Sequence, residues 1–475
     1  MSSQSEVKKA PEPDTTPVST SQIPSPKVST TDVSSGKRPA DSPSPKGKGR
    51  EGKKSRGGWR DRRHGSRPDG SSTQRDATSA TDDPRLPKRK VALLMGYCGT
   101  GYQGMQVNPG AKTIEGDLFN ALVRVGAVSE DNADDPKKVG FMRAARTDKG
   151  VHAAGQVVSL KMITDLPDLI PSINSHLPDQ IRIWGYVRTI KSFHSKNQCD
   201  SRVYEYLFPT YILQPVDPQA PKYDLSLPPA EREIQYSSAE EMARKRAYRI
   251  SPSTLAQVRE ALRMYVGTWS YHNFTLGKAH GDMSANRYIM SFTCSEPKIL
   301  DGNTEWLSLK VHGQSFMIHQ IRKMVGLIIA LIRSNSPLSI IPKAFGKVNL
   351  NIPKAPGLGL LLEQTVFQKY NTRVSGGMGG VTRDAVDFAP FEKEMDAFKE
   401  KFIYDKIVLE ELEHNSFDQW LQTIDSHADS FPYLNPEGDV TRPVCIPGKE
   451  GEGDVGKDKV LKDEDSELEA VAQTN

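Results

Sequence analysis

Arg143-Ala144-Ala145-Arg146-Thr147-Asp148-Lys149-Gly150-Val151-His152-Ala153 is the stretch on which the reading of this chain turns. An Asp two residues before a Gly, at the end of an apolar segment, is ordinarily a turn residue. Here two arginines, an Asp, a Lys and a His crowd a single bend. Fixed positive charge beside a carboxylate keeps it ionised, the state a nucleophile needs. Local chemistry leaves both readings standing.

Moving outward, Val91-Ala92-Leu93-Leu94-Met95 is a short apolar run closed by Gly96 and reads as a buried strand. Ile114, Leu118, Leu122 and Val125 fall at helical spacing behind Thr113 as N-cap, with Gly126 as the stop. Strands are expected at Val139 to Ala145, Gln156 to Met162, Ile181 to Thr189 and Val203 to Tyr211, and a helix near Leu166 to Leu177. A second set follows: a helix at Thr254 to Val266, strands at Tyr288 to Cys294 and Trp306 to Val311, a long helix at Ser315 to Ile332, and a strand at Leu360 to Phe367. Between the sets, Pro215 to Ser251 is Pro-rich and charged, which suggests an irregular insertion. Gly376 to Gly380 is a flexible break. Beyond it, Phe391, Met395, Phe398, Phe402 and Leu409 suggest a helix docking on the core.

Two other patterns invite a function. Gly99-Thr100-Gly101-Tyr102-Gln103-Gly104 is a literal G-x-G-x-x-G after a strand. A dinucleotide site needs the helix to open at that loop and an acid to end the next strand. Here the helix waits until Thr113 and no such acid follows, so a glycine-bent strand end is the better reading, with Tyr97 and Tyr102 free to line a base or a neighbouring catalytic loop. His152 with the scattered cysteines suggests a nucleobase deaminase, but the chain lacks the H-x-E and P-C-x-x-C elements that chemistry requires.

A third pattern is spread along the chain. Arg146 to Ala153 resembles the R-T-D-x-G-V-H-A segment of the TruA family of pseudouridine synthases. Tyr97 to Gln106 is similar to that family's Y-x-G-x-x-Y-x-G-x-Q block, and Arg202 to Tyr206 to its R-x-Y-x-Y strand. Gly267 to Thr275 matches its G-x-x-x-x-H-N-F-T block, Gln320 to Met324 its Q-I-R-x-M helix, and Ala355 to Leu360 its closing A-P-x-x-G-L. Six blocks in order are far more specific than one motif. Met105, often Trp in bacterial members, and the long tails resemble the eukaryotic nuclear type.

The resemblance implies an α+β fold: two α/β halves, a central, mostly antiparallel sheet flanked by helices, and an RNA-binding cleft between the halves. It implies isomerisation of uridine to pseudouridine in tRNA, with snRNA and mRNA left open, and no cofactor for the chemistry. Asp148 becomes the nucleophile, at C1′ or C6. Tyr204 stacks on the flipped uracil and helps deprotonate C5, and Arg322 pairs with Asp148. Tyr206 is expected to face away from Tyr204 into the core. Arg146 assists flipping or holds a phosphate; Arg143, Lys149, Lys196 and Arg202 are further RNA ligands. His152 and His272 are as readily structural. Two alternatives compete: an RNA-binding protein whose catalysis is secondary, and a small-molecule dehydrogenase using the Gly99 loop.

Composition sets the frame. Apolar residues are 36% of 475, low for a chain folded throughout. The expected organisation is a disordered tail over 1–86, half-domains over 87–212 and 252–370, an insertion over 213–251, a Gly-rich break and helical extension over 371–434, and an acidic disordered tail over 435–475. Ten Lys or Arg fall between Lys46 and Arg67, which suits nuclear import or RNA phosphates; a nuclear location is expected, with a mitochondrial pool left open. Cys98, Cys199, Cys294 and Cys445 form no C-x-x-C pair, so a disulfide framework is not expected and a structural zinc stays open. The longest apolar run, Met324 to Ile332, is too short to span a bilayer. A monomer and a homodimer both remain open.

Overall fold

A computed structural model describes residues 86–216, 223–377 and 382–442. The tails expected over 1–86 and 435–475 therefore lie mostly outside the described residues, as do Cys445 and most of the Gly376 to Gly380 break. In chain order the first half holds β1 (Lys88–Tyr97), α1 (Ile114–Arg124), β2 (Met142–Arg143), β3 (His152–Ile163), α2 (Leu169–Ser175), β4 (Ile181–Arg188) and α3 (Ser195–Gln198). Then come β5 (Ser201–Pro209), α4 (Ala239–Arg246), α5 (Pro252–Met264), β6 (Gly267–Ser270), β7 (Asn286–Cys294), β8 (Lys298–Ile299) and β9 (Glu305–Gly313). The chain continues with α6 (Gln320–Arg333), α7 (Ile340–Lys343), β10 (Leu360–Val366), α8 (Gln368–Ser375), α9 (Glu392–Phe398), a π-helical turn (Lys399–Tyr404), α10 (Asp405–His414) and α11 (Ser416–Ser426).

One sheet runs through both halves in the order β4-β1-β3-β10-β5-β9-β7-β6. Its pairings are antiparallel except one: β10 runs parallel to β3, with Leu361 opposite His152 and Leu362 opposite Ala153. The strand that comes last therefore joins the halves, because β10 also pairs with β5. Val91 through Met95 are fully buried. A strand covered on both faces reads as an unbroken apolar run, as β1 does.

The capping signals hold. Thr113 accepts the Gly116 amide at the start of α1, and Gly126 takes φ 73° after its end. Elsewhere local patterns mislead. The strand expected at Val139 to Ala145 shrinks to β2, because Pro136–Val139 winds a 3₁₀ turn closed by Gly140 at φ 62°. The long helix starts at Gln320, not Ser315, since His319 adopts φ 62°. The 213–251 insertion is not wholly irregular: α4 forms behind a capping box of Ser238 and Glu241. It is also tied down, with Arg232 bridging Asp429 at 2.7 Å and Arg246 donating to Asn415 at 2.8 Å. Asn435–Arg442 lies within the described residues, and Asn435 is buried. The C-terminal extension docks as expected through Phe391, Met395 and Phe398, but Leu409 points to solvent. The π turn at Lys399–Tyr404 inserts extra residues per turn and rotates the stripe, so Ile407 and Val408 take the buried face instead.

Candidate active site

The loop carrying Asp148 joins β2 to β3 and is gripped from two sides. From within the sheet, the fully buried Gln156 side chain donates to the Ala145 carbonyl at 2.9 Å and accepts the Ala145 amide at 3.1 Å. A buried amide in an apolar strand needs such partners. From the other side comes the glycine-rich loop. Met105 N–H donates to the Thr147 carbonyl at 3.2 Å, Gly150 N–H to the Tyr102 carbonyl at 3.3 Å, and the Tyr97 and Thr147 hydroxyls meet at 2.8 Å. A Cβ on Gly99 would stand 2.3 Å from the Val151 oxygen, and one on Gly104 2.8 Å from the Thr147 oxygen. The G-x-G-x-x-G pattern thus serves close backbone approach. Thr147 is buried, and its neighbours Arg146 and Asp148 are left exposed.

Asp148, Arg146, Tyr204 and Arg322 line one cleft of about 730 Å³, at the parallel seam. Tyr204 lies on β5 opposite Val311 and Leu362, its ring edge-on to Phe316 at 5.3 Å. Burial drives its phenol pKa well above the ordinary value, with Arg202 pulling down and the Asp148 charge pushing up. The hydroxyl is therefore neutral near pH 7. Tyr206 packs in the core and donates to the Pro356 carbonyl at 2.6 Å. The two rings do separate, but not by facing opposite ways as the sequence reading had it. Residues two apart on a strand share a face, and what parts them is distance along β5.

Arg322 sits in the first turn of α6, half-buried. Its Nε donates to the Ala355 carbonyl at 2.6 Å, and a Cβ on Gly357 would lie 3.6 Å from the guanidinium carbon. The Ala355 to Leu360 segment thereby fixes Arg322 and Tyr206 together. The helix is preceded by His319, also lining the cleft, whose left-handed backbone costs an L-residue roughly 1–2 kcal/mol.

The expected RNA ligands divide. Arg146 and Lys196 line the cleft and are exposed. Arg143 also lines it, but pairs with buried Glu115, whose carboxyl burial pushes up and Arg143 pulls back. Arg202 braces the walls, donating to the Ala144 carbonyl at 2.9 Å and the Gln314 carbonyl at 3.1 Å. Lys149 is half-buried and not among the lining residues. His152 is buried; its Nδ1 accepts the Gly99 amide at 3.1 Å, and burial, with Lys406, lowers its pKa to about 4. In the H-N-F-T block, Asn273 clamps the Ala344 and Val348 carbonyls at 2.8 Å, and Thr275 donates to the Ile318 carbonyl at 3.1 Å, holding the cleft loop. Burial lowers the His272 pKa, and it packs away from the cleft.

Sequence reading missed Gln156, Glu115, Phe316 and His319. A lone Gln in an apolar strand was the available signal for the first. Among the described residues no three His, Cys, Asp or Glu side chains converge as metal ligands, and no helix is long and apolar enough to cross a membrane.

A model of the tRNA pseudouridine synthase family matches residues 261–368. Among curated proteins, the chain is similar to tRNA pseudouridine synthase 1 of Yarrowia lipolytica, 44% identical over 448 residues, covering 81% of this chain and 84% of that one. It is 44% identical over 374 residues to the pseudouridylate synthase 1 homolog of Mus musculus, covering 78% and 82%. With tRNA pseudouridine synthase 1 of Saccharomyces cerevisiae it shares 40% over 399 residues, 72% of each chain.

Proposed function

This chain belongs to the tRNA pseudouridine synthase family, and on that premise we propose that it isomerises uridine in tRNA with Asp148 as its nucleophile. The observation that carries the roles is the convergence of Asp148, Tyr204 and Arg322, distant in sequence, on one cleft. The target base leaves its stack, since its reacting atoms are closed to attack inside a helix. Asp148 attacks C1′ or C6, the C1′–N1 bond breaks, and the uracil turns. A C1′–C5 bond forms, the bond made to Asp148 breaks and returns its carboxylate, the proton on C5 leaves, and N1 gains one. Atoms balance without a co-reactant.

Arg322, anchored through the Ala355 carbonyl, brings its positive charge to the cleft that Asp148 also lines. Tyr204 supports the flipped base. Because burial keeps its hydroxyl protonated, it passes the C5 proton on by accepting and donating in turn, not as a standing phenolate. Arg146 and Lys196, exposed at the rim, hold backbone phosphates. Binding is then salt-dependent and shape-led. The same chemistry admits snRNA and mRNA uridines presented unstacked. The basic segments at Lys46 to Arg56 and Pro87 to Lys90 support a nuclear location.

The test is tritium release from tRNA carrying [5-³H]uridine, for the wild type and Asp148→Ala. Equal tRNA binding with no release from the variant is expected. Full activity in Asp148→Ala would sink the assignment, and RNA binding by a wild type that releases nothing would favour a binding protein.

A further inference from the structure

The sheet ends on β6, whose outer edge carries no further strand among the described residues. Exposed apolar side chains lie on β6 and in the segments flanking it in sequence: Val266, Trp269, Leu276 and Met283, the last 78% exposed.

Trp269 is held like a platform. Its indole lies parallel to Phe345, 7° between planes and 5.3 Å between centroids, and its Nε1 donates to the Val266 carbonyl at 3.2 Å. One ring face is thus used and the orientation fixed, while 43% of the residue stays exposed. Phe345 itself sits in a cluster with Tyr265, Tyr271 and Phe274, so the platform is rigid. A preset aromatic loses little freedom on stacking.

This edge is tied to the cleft by a hydrogen bond. The β6–β7 connection carries Thr275, which holds the Ile318 carbonyl, and Ile318 is a lining residue of the cleft that stays 54% exposed. Arg287 lies opposite Trp269 in the ladder, its guanidinium donating to the Ser284 and Asn286 carbonyls, and Arg263 and Lys347 are exposed and close in sequence to Trp269 and Phe345. An aromatic face beside cations suits a single-stranded polyanion with flat bases.

We propose that Trp269 stacks an unpaired base of the RNA substrate outside the catalytic pocket, extending the binding track from the cleft to the sheet edge. This rests on RNA being the substrate. Base stacking on an aromatic predicts a Kd for tRNA raised roughly 5- to 100-fold in Trp269→Ala. The contact is uncharged, so the slope of log K against log salt stays as in the wild type. Trp269 takes no part in the chemistry, so kcat on saturating tRNA is retained. Trp269→Phe keeps an aromatic face and stays within about threefold of the wild-type Kd.

The measurement is a tRNA titration of wild type, Trp269→Ala and Trp269→Phe at several salt concentrations, with tritium release alongside. Intrinsic fluorescence supplies a check that does not depend on how Trp269→Ala folds: tRNA should quench the wild type more than Trp269→Phe. Unchanged affinity in Trp269→Ala with equal quenching in wild type and Trp269→Phe would overturn the proposal. So would a wild-type dimer in sedimentation that Trp269→Ala abolishes, since the face would then meet a second copy. Tritium release by the wild type separates the two claims: if it releases tritium while Trp269→Ala binds normally, only the platform falls.

Discussion

Replacing Lys399 by Met would test how the C-terminal extension is locked onto the catalytic strand. The Lys399 ammonium enters from the π turn and meets Glu363 at 2.9 Å and Glu205 at 3.7 Å. Glu205 sits between Tyr204 and Tyr206 on β5 and projects to the opposite face. Lys310 reaches Glu363 at 2.8 Å, and the Tyr404 hydroxyl donates to Glu205 at 2.9 Å. Two carboxylates and two ammonium groups face each other here, with a third, exposed carboxylate, Asp396, 3.6 Å from Lys399. Burial opposes charge on Lys399, but Glu363 and Glu205 outweigh it and hold its pKa above the ordinary value. Without Lys399, Glu205, whose side chain is only 2% exposed, keeps one distant and half-exposed counter-ion.

Stranding one partner of a buried pair costs about 3–5 kcal/mol, a large share of a total of roughly 5–15 kcal/mol. Part of that is recoverable with acid. Burial already raises the Glu205 pKa, and loss of Lys399 raises it further. A carboxyl whose folded pKa lies above its unfolded value loses stability as pH rises between the two. Urea denaturation should therefore show the full deficit at pH 8 and a smaller one near pH 5. tRNA affinity, measured well below the melting temperature, should be unaffected. A loss under about 1 kcal/mol, or one independent of pH, would refute the view that this cluster is a closed, buried balance.

Two further outcomes follow from the same kind of reasoning. Glu411 is buried and accepts from the Tyr211 hydroxyl and the Phe417 amide, and burial raises its pKa to about 7. The folded state then holds a proton between pH ~4.5 and ~7 that the unfolded state has lost, so wild-type stability declines over that window by up to ~3 kcal/mol. Glu411→Gln should flatten the decline in melting curves taken from pH 5 to 8, the Tyr211 hydroxyl turning to accept from the amide. Gln156→Leu strands the Ala145 amide and carbonyl, at about 1–3 kcal/mol. Because those groups shape the Asp148 loop, kcat for tritium release should fall at least about tenfold with the Kd for tRNA nearly unchanged; an unchanged kcat would show that the glycine-rich loop suffices to hold Asp148.

Much of the fold could be read locally. The apolar run of β1, the stripe and cap of α1, and the spacing of α5 each report forces acting within a few residues, and the structure keeps them. Misreadings arose where a neighbour outvoted the pattern. Gly140 and His319 in left-handed conformations moved the ends of elements, and the π turn rotated the stripe so that Leu409 lost its place to Ile407 and Val408. The capping box of α4 is itself a local signal, Ser238 with Glu241, set within a segment whose prolines and charge otherwise favour irregular backbone.

The sequence by itself singled out the residues proposed to carry the chemistry, because Asp148, Tyr204 and Arg322 each stand inside a block distinctive enough to mark it. It did not determine how they meet. Asp148 precedes β3, Tyr204 lies on β5 and Arg322 on α6, and they share a cleft because β10 inserts between β3 and β5. Those pairings rest on backbone hydrogen bonds between segments far apart in sequence, Leu361 with His152 and Leu362 with Tyr204, which leave no periodicity in any of them. The tertiary structure also separated cations that look alike in sequence. Arg143 and Arg202 are engaged inside the walls by Glu115 and by carbonyls, and Arg146 and Lys196 face the solvent where a phosphate can reach them. The physical reason is that a side chain's charge is local, whereas its available partner is set by whichever surface the fold brings against it.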